Sequence, residues 1–204
     1  MRVKCEARRQ NIVEVASEVF REFGFEAASM SEIATRVGGS KATLYSYFSS
    51  KEELFVAVVR YFAETHMHEI FARLDAQADL ASTLQDFGER FLNQISQPEM
   101  LGFYRSLMAE AGKSDVGRLF YERGPLEGLQ LLATFMQRAM ALGKLREEDK
   151  TVAAQHFLSL LRAETLEQLQ LGVLGSIPAA DIAPIVTRAV GVFLRAYAPE
   201  PGKG

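Results

Sequence analysis

The feature that most restricts the fold of this chain is the glycine pair Gly38-Gly39, which separates two short segments with helical signatures. Ser29 and Glu32 form the pattern of a capping box before the pair, and Ser40 can cap a second helix directly after it. Glycine permits positive φ angles, so the pair predicts a tight turn between two helices. This is the connection that a helix-turn-helix requires.

The rest of the chain carries helical periodicity as well, and no strand pattern competes with it. Glycine and proline mark the breaks, because both residues stop helices. We predict helices over about residues 7–23, 29–37, 40–48, 50–73, 80–95, 99–111, 126–142, 150–171 and 180–197, the first ended by Gly24. The fold class expected from the sequence is therefore all-α.

Charge and composition narrow the class of protein only a little. The net charge is −3, but residues 1–60 carry nine basic and eight acidic residues, which sum to +1. Arg2, Lys4, Arg8 and Arg9 favour an arm that meets phosphates, although a solvated terminus explains them equally well. No apolar stretch reaches the roughly 18 residues of a membrane span, and the start has no signal-peptide core, so we expect a cytoplasmic protein. The single cysteine, Cys5, leaves a redox role open.

The segment after the glycine pair has the chemistry of a DNA-reading helix. A helix in the major groove needs small hydrogen-bonding side chains near its amino end. Lys41 suits guanine acceptors or phosphate, and Ala42 and Thr43 suit thymine methyl groups. Tyr45 and Tyr47 can donate hydroxyls to the DNA backbone. The alternative is a hairpin in a helical bundle with both tyrosines packed inside. Three further residues at helix starts complete the predicted DNA-binding set, namely Ser29, Ser40 and Lys51, and Lys51 is the best candidate for a phosphate clamp.

The stretch from Ile12 to Phe55 resembles the amino-terminal domain of the tetracycline-repressor (TetR) family. The matching residues are Ala16, Phe20, Gly24, Ser29-Met30, Ile33-Ala34, Gly38, Ser40-Lys41, Thr43-Leu44-Tyr45, Tyr47-Phe48 and Lys51-Glu52-Glu53-Leu54-Phe55. Gly39 departs from the family pattern, which more often has a branched apolar residue there. The segment Leu101 to Gly172 further resembles the AefR-type carboxy-terminal domain of that family. The matching residues there are Glu110, Phe120-Tyr121, Gly124-Pro125, Gly143-Lys144-Leu145, Asp149, Ala153-Ala154, Phe157 and Leu160-Leu161.

The resemblance implies a helix-turn-helix DNA-binding domain at residues 1–52 and a helical ligand-binding and dimerisation domain at residues 53–204. It also implies a homodimer on a palindromic double-stranded DNA operator and a small-molecule effector. Soft and aromatic residues suited to an apolar or aromatic effector are Met100, Phe103, Tyr104, Met108, Phe120, Phe135 and Met136. Candidates for the dimer interface on the last two long helices are Val152, Phe157, Leu160, Leu161, Ile185, Val190, Phe193 and Leu194. Ordinary core packing explains each residue of both sets as well.

The sequence offers little for catalysis or metal binding. His66 and His68 point to different helix faces at this spacing, and no cysteine or Glu-x-x-His motif accompanies them, so we expect no metal and no cofactor. No phosphate-binding loop or nucleophile motif is present, so we expect no enzyme activity. The function predicted is a ligand-responsive transcriptional regulator, as a repressor released by its effector. The alternative is an all-helical small-molecule carrier or enzyme without DNA binding.

Overall fold

The computed structural model describes the backbone of residues 2–112 and 114–199, with side chains over residues 6–109, 111–112 and 114–199. The described helices are α1 (Arg2–Ala27), α2 (Met30–Val37), α3 (Lys41–Tyr47), α4 (Lys51–Phe62), a π-helical turn (Ala63–Met67), α5 (His68–Ala72), α6 (Leu80–Ile95), α7 (Pro98–Glu110), α8 (Val116–Arg123), α9 (Pro125–Ala141), α10 (Lys150–Arg162), α11 (Leu166–Gln170) and α12 (Ala179–Tyr197). No strand occurs over these ranges, which confirms the all-α prediction. The side chain of Cys5, for which the sequence leaves a redox role open, lies outside the described residues.

The chain packs into two compact units. The first unit comprises residues 2–65 and 102–125, and the second comprises residues 66–101 and 126–199. Each unit buries its own apolar cluster. The functional boundary predicted between residues 52 and 53 stays a prediction.

Helix α1 supplies the apolar stripe that its spacing predicts, with one exception. Ile12, Val19 and Phe20 are buried. Phe23 is 43% exposed, and the Arg36 guanidinium lies 5.2 Å from its ring centroid. Gly24 interrupts the helix with a φ of 78° and a ψ of 169°, and one further turn brings Phe25 into the core. The helix also begins at Arg2, so the backbone of the predicted arm is helical.

The predicted turn between α2 and α3 is present. Gly38 has a φ of 71° and a ψ of 42°, a left-handed conformation that costs an L side chain about 1–2 kcal/mol. Gly39 is absent from the positive-φ residues of the described chain, so the turn uses this conformation at Gly38 and not at Gly39. The N–H groups of both glycines bond carbonyls in the last turn of α2, at Thr35 and Ala34. One glycine is therefore sufficient to end α2 and turn the chain.

Serine caps open all of the next three helices, and the sequence predicts those at Ser29 and Ser40. The hydroxyls of Ser29, Ser40 and Ser50 accept hydrogen bonds from the backbone N–H three residues later, at 3.1, 3.0 and 3.1 Å. Glu53 accepts two bonds of 2.7 Å from the hydroxyl and the backbone N–H of Ser49. These bonds lower the pKa of the Glu53 carboxyl, so the cap of α4 keeps its negative charge at neutral pH. The termini of α2, α3 and α4 are thus set by local chemistry.

The second unit is built around the packing of α6, α10 and α12. Phe87, Phe157 and Phe193 form a row of rings, with centroid distances of 6.2 Å and 5.1 Å. Gly88 lets the helices approach closely, because a Cβ there would lie 2.6 Å from Val186 Cγ1 and 2.8 Å from Leu161 Cδ2. No helix of the described chain is long and apolar enough to cross a bilayer.

Three helix predictions differ from the structure. The fourth helix is not continuous to Arg73, because a π-helical turn replaces α-helix from Ala63 to Met67. The predicted helix over residues 150–171 is two helices, with a break between Arg162 and Leu166. Helix α8 was not predicted. Its eight residues include one buried apolar side chain, Val116, which is too weak a periodic signal to detect.

Candidate nucleic-acid interface

Helix α3 is held to the first unit mainly by Leu44 and by Phe48, which follows its last residue. Leu44 and Phe48 are 2% and 1% exposed and form an i, i+4 apolar anchor. Lys41, Ala42, Thr43 and Ser46 are exposed, as are Ser29 and Ser40. The short helix therefore presents one continuous polar face to solvent.

The two tyrosines of α3 have different environments. Tyr45 is 44% exposed, and Lys41 Nζ lies 5.9 Å from its ring centroid. Tyr47 is half-buried and packs against the apolar cluster of the first unit. The structure therefore supports Tyr45 as a surface group, whereas the alternative of inward packing holds in part for Tyr47.

Thr43 is positioned by Ser40. Its hydroxyl lies 2.8 Å from that of Ser40, and its backbone N–H donates to the same oxygen at 3.0 Å. Ser46 in turn donates to the Thr43 carbonyl at 2.6 Å. The hydroxyl contact with Ser40 favours one rotamer of Thr43, which lowers the side-chain entropy lost when it meets a base edge.

The arginine of α2 is not available to DNA in this conformation. Arg36 Nη1 lies 2.6 Å from Glu22 Oε2, and its Nε lies 2.8 Å from Glu32 Oε1. The hydrogen bond from Arg36 lowers the pKa of the Glu22 carboxyl, so the pair is charged at neutral pH. A guanidinium shared between two carboxylates offers a phosphate little net charge.

Lys51 is engaged by the protein's own backbone. Its ammonium donates to the carbonyls of Phe25, Glu26 and Ala28, at 2.7, 3.1 and 3.3 Å. It also lies 4.4 Å from the centroid of the Phe25 ring. An ammonium has three N–H donors, and all three are used in this conformation. Lys51 thus ties the start of α4 to the end of α1, and its role as a phosphate clamp stays a prediction.

Lys144 is the equivalent of Lys51 in the second unit, and sequence reasoning missed it. Its Nζ donates to the carbonyls of Ala76, Gln77 and Ala78, at 2.8, 3.0 and 2.6 Å. The three acceptors lie more than 60 residues away in the chain. No local pattern signals such a contact.

The comparisons with known proteins agree with this geometry. Residues 12–58 match the model of the amino-terminal domain of bacterial regulatory proteins of the tetR family. Residues 82–199, more than half of the chain, match the model of the carboxy-terminal domain of AefR-like transcriptional repressors. The chain belongs to the TetR family. This confirms the resemblance seen in the sequence and makes the chain a DNA-binding transcriptional regulator.

Solved structures similar to this TetR-family chain cover nearly all of it. A putative TetR-family regulator from Mesorhizobium loti is 27% identical, with a TM-score of 0.83 over 95% of this chain and 98% of that one. The flavonoid-responsive regulator FrrA is 33% identical, with a TM-score of 0.80 over 96% and 99%. The transcriptional activator FasR of Mycolicibacterium smegmatis is 37% identical over 94 residues, which span 46% of this chain and only 43% of FasR.

The effector-binding residues predicted for this TetR-family chain fall in both units. Phe103 is buried in the first unit, and its ring centroid lies 5.9 Å from that of Phe120. Tyr104 contacts the same ring edge-on at 5.9 Å, whereas Met108 is 56% exposed. The other three belong to the second unit, where Met100 is half-buried and Phe135 and Met136 are buried in the core. The predicted set therefore does not form one cluster within either unit.

The predicted dimer residues also divide by burial. Phe157, Leu161 and Phe193 have no exposed surface in a single chain, and Ile185 and Val190 have 5% and 6%. Such residues bury almost nothing more on dimerisation, so the alternative of an intramolecular core applies to these five. Val152 is 42% exposed, and Leu160 and Leu194 are half-buried. These three remain candidates for a contact with a partner.

The histidines have no metal-binding arrangement. His66 lies in the π-helical turn, and His68 begins α5. Over the residues that the structure describes, no three His, Cys, Asp or Glu side chains group in a way that would hold a metal. His156 Nδ1 lies 2.7 Å from the hydroxyl of Tyr197. The absence of a metal and of a cofactor stays a prediction.

Thr43 and Tyr45 give a matched test of base reading against backbone contact. We expect Thr43→Ala to weaken binding of the operator by about 1–3 kcal/mol, with no effect on a random duplex, because base edges carry the sequence information. Tyr45→Phe removes only a hydroxyl and is expected to weaken both duplexes equally, because phosphates are common to all sequences. Fluorescence anisotropy on both duplexes measures the two effects. Equal losses for Thr43→Ala on the two duplexes would contradict base reading.

Proposed function

We propose that this TetR-family chain is a homodimeric repressor that binds a palindromic operator and leaves it when a small apolar or aromatic effector binds. The proposed effector class rests on the similarity to FrrA. That protein is flavonoid-responsive, and the match covers nearly the full length of both chains. As a regulator that binds the chromosome it acts in the cytoplasm, and we propose no enzyme activity for it.

A two-fold dimer follows from the geometry of DNA. Successive major grooves on one face of a duplex are about 34 Å apart, so two copies of α3 must be presented together. Within the second unit, α10 and α12 pack on each other and expose apolar side chains at Val152 and Val192, 42% and 43% exposed. An isologous contact through these helices would bury both. Sedimentation analysis of the free protein tests the dimer directly.

Response to an effector requires unequal affinity for two states of the dimer. The effector must bind the state that does not fit the operator more tightly than the state that does. Buried aromatic and methionine side chains such as Phe135 and Met136 give the second unit the apolar, polarisable interior that an aromatic ring favours.

Two panels of compounds test the proposal. Flavonoids represent aromatic effectors, and saturated fatty acids represent apolar effectors without aromatic rings. A flavonoid present at a hundred times its Kd should stabilise the folded dimer by about 2.7 kcal/mol and raise its Tm. The same compound should release the protein from the DNA upstream of its own gene. If no compound of either panel changes the Tm or the DNA complex, the proposed effector class is wrong. If flavonoids bind but the protein binds no DNA at any salt concentration, the carrier alternative is favoured.

One observation favours a second candidate, a transcriptional activator. The similarity to the activator FasR covers 94 residues of this chain at 37% identity. A run-off transcription assay from the upstream DNA distinguishes the two, because a repressor lowers the yield of transcript and an activator raises it.

A further inference from the structure

Arg8 on α1 reaches the turn that precedes the DNA-reading helix. Its Nη2 atom donates to the Gly38 carbonyl at 3.3 Å. A Cβ atom built on Gly39 would lie 3.0 Å from the same nitrogen, which is closer than nearly all real contacts of a Cβ. The guanidinium therefore lies so close to position 39 that a side chain there would crowd it.

This position is beside the exposed end of α3. Arg8, Gly39, Ser40 and Thr43 line one cleft, whose cavity volume is about 10 Å³, together with the apolar side chains of Ile12, Ala34, Val37 and Leu44. A volume of this size holds about one water molecule and no effector. Two polar residues of the cleft, Ser40 and Thr43, are exposed at the amino end of α3.

The charge of Arg8 is not neutralised within the described part of the chain. Its guanidinium has five N–H donors, and the bond to Gly38 uses one of them. No carboxylate of that part forms an ion pair with Arg8, in contrast to Arg36, which is held by Glu22 and Glu32. Arg8 thus retains both charge and donors for a planar oxyanion.

We propose that Arg8 is a DNA phosphate contact of this regulator, admitted to the amino end of α3 because Gly39 has no side chain. The phosphate would bond the free N–H groups of the guanidinium, while the bond to Gly38 fixes the guanidinium on the turn. The inference depends on DNA binding by the family and not on the proposed effector response.

The test uses the full-length protein without effector and a fluorescent duplex of random sequence, with the affinity measured over a range of salt concentrations. Arg8→Ala should weaken binding about tenfold per subunit and lower the slope of log K against log salt by about one per subunit, as the loss of one phosphate contact implies. Arg8→Lys should retain most of the slope, because it keeps the charge. Gly39→Val should lower the slope as much as Arg8→Ala does, because its side chain displaces the guanidinium.

The double variant Arg8→Ala/Gly39→Val should lose no more than either single variant, since both remove the same contact. Arg60→Ala removes an equal charge from an exposed position on α4 and should leave the slope unchanged. An unchanged slope for a folded Arg8→Ala protein would overturn the proposal, and so would a loss confined to operator sequences. If the wild-type protein bound no DNA at all, the failure would lie with DNA binding itself and not with Arg8.

Discussion

Replacing Phe55 by alanine is expected to lower the free energy of unfolding of the first unit by about 3–5 kcal/mol. Phe55 is 1% exposed, and its ring contacts three others in the core. The centroid distances are 5.5 Å to Phe20, 5.2 Å to Phe25 and 6.0 Å to Phe103. Truncation removes the buried surface and leaves a cavity among the rings of two other helices, α1 and α7. Urea denaturation followed by circular dichroism measures the loss.

Phe23→Ala is the matched control, because it deletes the same phenyl group from α1 at a half-exposed position. Its ring is 43% exposed and contacts the Arg36 guanidinium, an interaction worth about 0.5–1 kcal/mol. We expect the stability of Phe23→Ala to fall by no more than that interaction. If Phe55→Ala cost no more than Phe23→Ala, the aromatic cluster would not be the core of the first unit.

The second large effect is expected at Lys51. Lys51→Met keeps the aliphatic stem but removes three hydrogen bonds to the carbonyls at the end of α1. Bonds from a charged group contribute about 1.5–3 kcal/mol, so we expect a loss of that size in the free energy of unfolding. The slope of DNA affinity against salt concentration should change little, because the ammonium is already engaged.

Lys41→Met makes the matched comparison, since it deletes the same charge from the exposed end of α3. Its stability should be unchanged, while the salt slope should fall by about one per subunit. The two lysines are thus expected to affect different measurements. The opposite pattern, with Lys51→Met lowering the slope at unchanged stability, would restore the phosphate contact that the sequence alone predicts for Lys51.

Local signals predicted the helix-turn-helix well because its chemistry is local. A cap such as Ser40 bonds an N–H group three residues away, and the left-handed turn at Gly38 needs one glycine. The anchor formed by Leu44 and Phe48 is also visible in a window of five residues. Caps, turns and i, i+4 contacts depend only on residues a few positions apart in the chain. They can therefore be predicted without knowledge of the rest of the fold.

Residues on the last long helices were harder to assign for a physical reason. An apolar side chain at helical spacing predicts that one face is covered, but it does not indicate what covers it. Phe157 and Phe193 meet each other at 5.1 Å inside one chain, whereas Val152 on the same helix as Phe157 remains 42% exposed. Helical spacing is the same kind of signal for all three residues, so it does not distinguish the two buried side chains from the exposed one.

The sequence by itself determined that the chain is helical and where α2, α3 and α4 begin. Tertiary structure alone decided which backbone carbonyls the basic residues bond. Arg8, Lys51 and Lys144 each bond backbone carbonyls more than 20 residues away. Those acceptors are brought close only when distant helices pack, because a side chain reaches just a few ångströms. Which backbone carbonyl each of these cations reaches is therefore settled by the fold.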